Sequence, residues 1–426
     1  MIKQYFKQAI NLIGQNKLLS AISIIGTAFA IAMIMCIVLV YQARTANYEP
    51  EVNRDRTLSV NVVIATGIED EGWNNGGRLS LQTIKTCFYP LTNVEAVSAV
   101  SAYETKLAAT PGGTVEKKCF VSFSDTDFWK VFQFHFLSGK PYSEADFASG
   151  VKSVVICRSL AREIFGTEDV VGRTLSLSYD DYTVCGVVAD VSVLTEEAYA
   201  QAWAPFTTKA GYEYSYSDGL EGSYQCYILA RSTGDFDAIR TEVNRNVERM
   251  NSSQKVMKLR LFGAPDSQLM SMARKNSFSE PDVPKLVGMY ILLIVILLLV
   301  PAINLSGITL SRMRKRMQEI GVRRAFGATR GELLWQILSE NLVLTLISGV
   351  VGLVFSFVSI AGMREWLLST KTSGYLGADI DVESQMMFSP EIFLYAFLFC
   401  LLMNLLSAGL PAWRVSRAKI INALNS

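Results

Sequence analysis

Chemistry has few places to reside in this chain of 426 residues. Its single histidine, His135, sits in the apolar run Phe132 to Leu137, so neither a histidine-based zinc site nor a serine–histidine–aspartate arrangement with a choice of bases can be assembled. His135 is expected to be a partly buried structural residue. Gly139-Lys140 is followed by Pro141 and lacks the upstream glycine of a phosphate cradle, so the sequence contains no P-loop. Five of the seven cysteines, Cys87, Cys119, Cys157, Cys185 and Cys226, fall between residues 44 and 285, and Cys36 and Cys400 fall in long apolar stretches. Their odd number and scattered spacing specify no disulfide. The strand-like apolar runs around Cys157, Cys185 and Cys226 favour buried free thiols. No catalytic residue, bound cofactor or metal ligand is expected.

The remaining concentration of reactive groups is basic. Ser311 to Leu333 is dense in Arg and Lys, and Arg312 to Ala325 is rich in strong helix formers. Gly327 supplies a C-terminal stop, and Thr329, Arg330, Gly331 and Glu332 have the spacing of a capping box that opens a second helix. The sequence therefore predicts a helix, a tight turn and another helix. One reading of the positive charge is that it holds the loop on the cytoplasmic side and touches lipid phosphates. A second is that it docks a partner. Charge alone does not separate the two.

Four uncharged apolar stretches position this loop: Leu18 to Ala43, Leu286 to Ser311, Asn341 to Met363 and Ile392 to Trp413. Each exceeds the roughly 20 residues a helix needs to cross a bilayer core, and only helices or closed barrels satisfy every backbone group in lipid. Four crossings put both termini on one side. Lys3, Lys7 and Lys17, the Arg312 to Arg330 cluster, and Arg414, Arg417 and Lys419 make that side cytoplasmic, whereas Asp379, Asp381 and Glu383 suit an outer loop. The expected order is thus a cytoplasmic amphipathic segment (1–17), span one (18–43), an outer domain (44–285) and span two (286–311). A cytoplasmic helix and turn (312–340), span three (341–363), an outer loop (364–391), span four (392–413) and a cytoplasmic tail (414–426) follow. The first apolar stretch is too long for a cleaved signal peptide and lacks a clear small-residue cleavage site. Ile2, Tyr5, Phe6, Ala9, Ile10 and Ile13 recur at helical spacing, as in a helix lying on the inner leaflet or in an extension of span one. No ionisable group lies within the spans, which argues against an ion-driven carrier. Small residues such as Ser348 and Gly352, or Gly26 and Ala30, permit close helix contact.

The outer insert reads as mixed α and β. Arg56 to Ala65 and Val94 to Ser101 alternate as strands, and Leu79 to Phe88 has helical spacing. Ser153 to Arg158, Thr174 to Tyr179 and Tyr182 to Ala189 read as strands around a helix at Ser159 to Phe165, with Gly166 and Gly172 as punctuation. Tyr224 to Arg231 is a strand, and Asp235 N-caps a helix to Met250. Two β-α units flanking a middle region predict a domain split into two subdomains. Half of all residues are apolar and the net charge is +1, so neither nucleic acid nor an acidic partner is implied.

Glu319 to Leu342, EIGVRRAFGATRGELLWQILSENL, closely resembles the signature of the FtsX and MacB family of ABC-transporter permeases. Asn304, the Leu410 to Lys419 segment, Phe128 to Phe147 and Ser153 to Ala189 extend the resemblance along the chain. The sequence departs from the family at Ile420 to Leu424, where a Pro often precedes Ala-Leu, and in having no nucleotide-binding domain like the one MacB carries. The resemblance implies a four-span permease in the bacterial cytoplasmic (inner) membrane, with a large α+β periplasmic domain. It implies a homodimer, or a pair with a closely related permease, bound to a separate ABC ATPase that holds ATP and Mg. Glu319, Ile320, Gly321, Val322, Arg323, Arg324, Ala325, Gly327 and Ala328 would contact that ATPase, and movement would pass to the outer domain rather than open a pore. The size of the outer domain favours MacB-like efflux with a periplasmic adaptor and an outer-membrane channel. The alternatives are FtsX-like control of cell-wall hydrolases and release of lipoproteins.

Overall fold

The computed structural model describes residues 17–70, 72–113, 115–296 and 329–367, with isolated positions at 299, 326, 394–395, 397–398, 401–402 and 405. In chain order these form α1 (Lys17–Thr45), β1 (Thr57–Val60), β2 (Val63–Gly67), β3 (Asn74–Leu79), α2 (Leu81–Cys87), β4 (Val94–Ser101), β5 (Glu104–Ala109) and β6 (Glu116–Ser124). There follow α3 (Phe128–Val131), β7 (Phe136–Gly139), α4 (Glu144–Ala148), β8 (Ser153–Cys157), α5 (Arg158–Phe165), β9 (Thr174–Leu177) and β10 (Asp180–Val188). Then come β11 (Ala202–Pro205), β12 (Glu221–Gly222), β13 (Tyr224–Ala230), α6 (Phe236–Asn251), β14 (Met257–Arg260), α7 (Gln268–Ala273), α8 (Val283–Ile296) and α9 (Arg330–Leu367). Contacts gather them into two compact units, one containing α1 and α9 and the other spanning Arg44–Leu286.

In the second unit, six strands hydrogen-bond in a closed ring. β6 pairs antiparallel with β5 and parallel with β11, β11 pairs with β8, β8 runs parallel to β10, and β9 joins β10 back to β5. Closure removes the exposed edges an open sheet would present. β6 also meets β4 at Ser124 and Val100, which joins the ring to an open sheet in the order β4-β13-β3-β2-β14. β13 is central in that sheet, with β4 along one edge and β1 and the end of β3 along the other. Its near-uniform burial explains why it reads as a continuous apolar run rather than an alternating one. The buried side chains of ring and sheet form one contiguous core.

Local chemistry accounts for the boundaries. Ser80 caps α2 by accepting from Thr83 N at 3.0 Å. α6 turns Ile239, Val243, Val247 and Met250 inward at helical spacing, each contributing roughly 2 kcal/mol of apolar burial. Gly166 ends α5 in a left-handed conformation, φ 69°, as its punctuating role predicted. Gly139, φ 69°, is required by close approach: a Cβ there would sit 2.2 Å from Cys185 O, where β7 meets β10.

Several expectations need correction. Arg56 to Ala65 is two strands, since β1 pairs with β13 whereas β2 pairs with β3 and β14, and Asn61 turns aside between them. Asp235 occupies the position before α6 but directs its carboxylate backwards, accepting from Ser232 N and Oγ at 2.9 Å each. His135 is exposed, not partly buried. It precedes an edge strand on which alternate residues face out, and its carbonyl accepts from Ala189 N. The thiol reading holds: Cys87, Cys119, Cys157 and Cys226 are buried, Cys185 is half-buried, and all five are free.

In the first unit, α1 and α9 hold apolar stretches, Ser20–Thr45 and Asn341–Ser359, long enough to cross a membrane. α9 crosses α1 at Gly352, where a Cβ would lie 2.8 Å from Ala28 O and 3.0 Å from Ile31 Cβ. Phe29 and Phe355 flank the crossing with ring centroids 6.3 Å apart, and Tyr41 meets Tyr290 of α8 edge-on at 6.2 Å. Gly352 thus serves close contact within the chain, against Ala28 and Ile31. Thr345, Ser348 and Ser356 return their hydroxyls to the carbonyls of Asn341, Leu344 and Leu353 at 2.7 to 2.8 Å, which satisfies them inside an apolar stretch. Cys400 and most of the apolar stretches at 286–311 and 392–413 lie outside the described residues.

Candidate functional site

All nine residues expected to contact an ATPase, Glu319, Ile320, Gly321, Val322, Arg323, Arg324, Ala325, Gly327 and Ala328, lie outside the described residues. The structure resumes at the end of that loop. Thr329 N donates to Glu332 Oε2 at 2.9 Å and Glu332 N donates to Thr329 Oγ1 at 3.3 Å, the reciprocal pair that the spacing predicted. Two otherwise unpaired donors at the start of α9 are satisfied, and the Glu332 carboxylate also complements the positive end of the helix. From this cap α9 continues for 38 residues, about 57 Å, through the apolar stretch without a break.

A second polar constellation lies in the outer unit, and no motif announced it. Glu51 and Arg54 are almost fully buried and pair at 2.5 Å between Oε2 and Nε. Arg54 also donates from Nη1 to Ala46 O at 3.1 Å and from Nη2 to Leu194 O at 2.8 Å. The other Glu51 oxygen accepts from the backbone N of Glu197 at 3.0 Å and of Ala198 at 3.2 Å. Buried charges cost several kcal/mol each unless paired and hydrogen-bonded, and here both conditions are met. Glu197, half-buried beside them, accepts from Tyr227 Oη and from Asn61 Nδ2. Burial pushes its carboxyl up to about 7, with the charge of Glu51 adding to the effect and the two donors opposing it. A cavity of about 20 Å³, room for one water, is lined in part by Glu51, Arg54, Glu197, Tyr227 and Gln268.

Asp125, beyond β6, forms a third cluster where ring and sheet meet. It accepts from Ser98 Oγ, Ala99 N, Tyr89 Oη and Phe128 N at 2.7 to 3.1 Å. Burial pushes this carboxyl up to about 6, while the donors from Ala99, Ser98 and Tyr89 pull it down. With every lone pair occupied, it is a structural tie. Among the described residues no group of three or more His, Cys, Asp or Glu side chains could hold a metal ion.

The description "MacB-like periplasmic core domain" matches residues 20–246, and "FtsX-like permease C-terminal" matches residues 291–420. The chain belongs to the MacB-like, FtsX-type family of ABC transporter permeases. A macrolide export ATP-binding/permease protein MacB of Chromobacterium violaceum is 22% identical over 427 residues, covering 99% of this chain and 61% of that protein. An uncharacterized ABC transporter permease YknZ of Bacillus subtilis is 24% identical over 288 residues, 67% of this permease and 65% of that one. The chain thus spans about three-fifths of the length of these curated relatives. The crystal structure of the periplasmic region of MacB from Actinobacillus actinomycetemcomitans aligns with 52% of this permease and 94% of that chain, at 14% identity and a TM-score of 0.35. Membership of this family makes the chain a membrane permease with an α+β extracellular domain.

Proposed function

We propose that this permease works as a mechanical transmitter in export, converting ATP binding and hydrolysis on a separate ABC ATPase into movement of its outer domain. The observation that carries the reading is the succession of the core-domain and permease matches along nearly the whole chain, at 22% identity over 99% of it to an export protein. The sequence itself has no P-loop, so ATP and Mg are assigned to a partner subunit. Four spans, 18–43, 286–311, 341–363 and 392–413, put both termini in the cytoplasm of a bacterial inner membrane and residues 44–285 outside. The ring and the open sheet are read as two subdomains of that outer mass. The permease acts as a dimer, and the outer domains engage a periplasmic adaptor leading to an outer-membrane channel.

In this reading the loop from Glu319 to Ala328 docks on the ATPase. Ile320 and Ala325 supply apolar contact, Arg323 and Arg324 supply charge, and Gly327 permits the turn into the Thr329 cap. Arg323→Glu combined with Arg324→Glu reverses the local charge, which disfavours docking more than it disturbs insertion. The variant is expected to insert and dimerise normally yet lose co-purification with the ATPase. Unchanged co-purification and unchanged ATP turnover would reduce the arginines to orientation signals and remove support for the docking role.

A further inference from the structure

The segment that opens the outer unit, residues 44–56, is built as a joint rather than a tether. A flexible tether would be Gly- and Ser-rich and solvated. Residues 44–56 instead invest their polar groups in separate, distant parts of the outer unit. Arg54 reaches Leu194 O, Glu51 holds the N–H groups of Glu197 and Ala198, and Asn53 Nδ2 donates to Val131 O at 3.3 Å. Pro50 O accepts from Gln133 N at 2.8 Å. The chain leaving the domain is clipped to the same place. Gln268 Nε2 donates to Arg44 O at 2.6 Å, and Ser59 and Asp266 exchange two backbone bonds at 2.8 and 2.9 Å.

We propose that the segment Pro50–Arg54, centred on the buried Glu51–Arg54 pair, is a joint within the outer unit that holds the loops leading into β7 and β11 so that they move with it as one body. The inference rests on the transmitter reading above. Its physical content is that a buried pair surrounded by backbone partners has one geometry. Rotation of the segment that carries it would strand two charges away from water, so the loops at 131–133 and 194–198 must follow. Apolar packing alone would hold the domain together while allowing slippage between near-equivalent arrangements. Both ends of the domain's chain are caught in one cluster, so movement on either side reaches the same point.

The test uses the full chain with its partner ATPase in nanodiscs, with spin labels at position 179. Tyr179 is 94% exposed in the turn between β9 and β10. In the wild-type dimer a non-hydrolysed nucleotide is expected to shift the distance between the two labels. In Glu51→Gln with Arg54→Met, which removes both charges together, ATP hydrolysis should persist and the outer cysteines should stay unreactive, but the shift should be lost. A shift as large as in the wild type overturns the joint and leaves the transmitter reading standing. If the wild type shows no shift, both fail. Should the double variant unfold, Asn53→Ala with Gln268→Ala removes two uncharged clips, and a smaller shift is expected; an unchanged one overturns the joint.

Discussion

Glu197→Gln should abolish a pH dependence of stability whose size follows from the site. The Glu197 carboxyl titrates near 7 in the folded chain, against 4.5 for an ordinary glutamate. Its neighbours are Tyr227 on β13, Asn61 between β1 and β2, Glu196 beside it, and the Glu51–Arg54 pair. Between those two pH values the folded chain holds a proton that the unfolded chain has released. Stability therefore falls as pH rises through this window and is level above it. The full difference is worth about 3 kcal/mol, and partial exposure of the residue lowers it to about 2 kcal/mol. For a unit of this size that is about 5 °C in apparent Tm between pH 5 and 8. Glutamine cannot ionise, and its one carbonyl oxygen can still accept from Asn61 Nδ2 while its amide nitrogen donates to the Tyr227 hydroxyl oxygen. The assay is thermal unfolding of the detergent-solubilised chain followed by tryptophan fluorescence, which reports on fully buried Trp203. Asp125, also raised, adds a slope common to both proteins, so the difference between them isolates Glu197. Identical slopes in wild type and variant would refute the assignment.

Thr329→Ala should cost the start of α9 about 1 kcal/mol, seen as faster amide exchange over residues 330–334, while Thr329→Ser should leave it unchanged. Equal exchange in all three would mean the cap is idle. Gly352→Leu places side-chain atoms against Ala28 and Ile31 and should separate α9 from α1, lowering the yield of folded chain and the efficiency of a disulfide engineered across the pair. The outer thiols should resist a thiol reagent until unfolding, because burial hides most of them and pushes Cys87, Cys119 and Cys157 up to about 12. Rapid labelling of the native protein would contradict the buried core.

Legibility in the sequence followed the range of the interaction. The Thr329–Glu332 box, β4, β13 and α6 are local patterns whose signals lie within a few turns or one strand, and each was readable. β5, β6 and β11 went unread, because what defines them is pairing, including the parallel match of Ala202–Pro205 to Val121–Ser124 across some eighty positions of chain. The Arg56 to Ala65 run misled because alternation does not reveal a change of partner. His135 misled for a related reason: an apolar run on an edge strand exposes alternate residues. The Glu51, Arg54 and Glu197 cluster left no signal, since a carboxylate and an amide nitrogen 146 positions apart meet only in the fold. The loop from Glu319 to Ala328 was the reverse case, carrying a family signature in residues the structure does not describe.

Photo-crosslinking from Val322 in intact membranes bears most directly on the central claim. A photoreactive residue there, in the middle of the basic loop, should capture an ATP-binding subunit of the ABC class, with the yield changing when a non-hydrolysed nucleotide is supplied. Capture of lipid alone, or of an outer protein, would contradict the account of this permease as a transmitter driven from the cytoplasmic side.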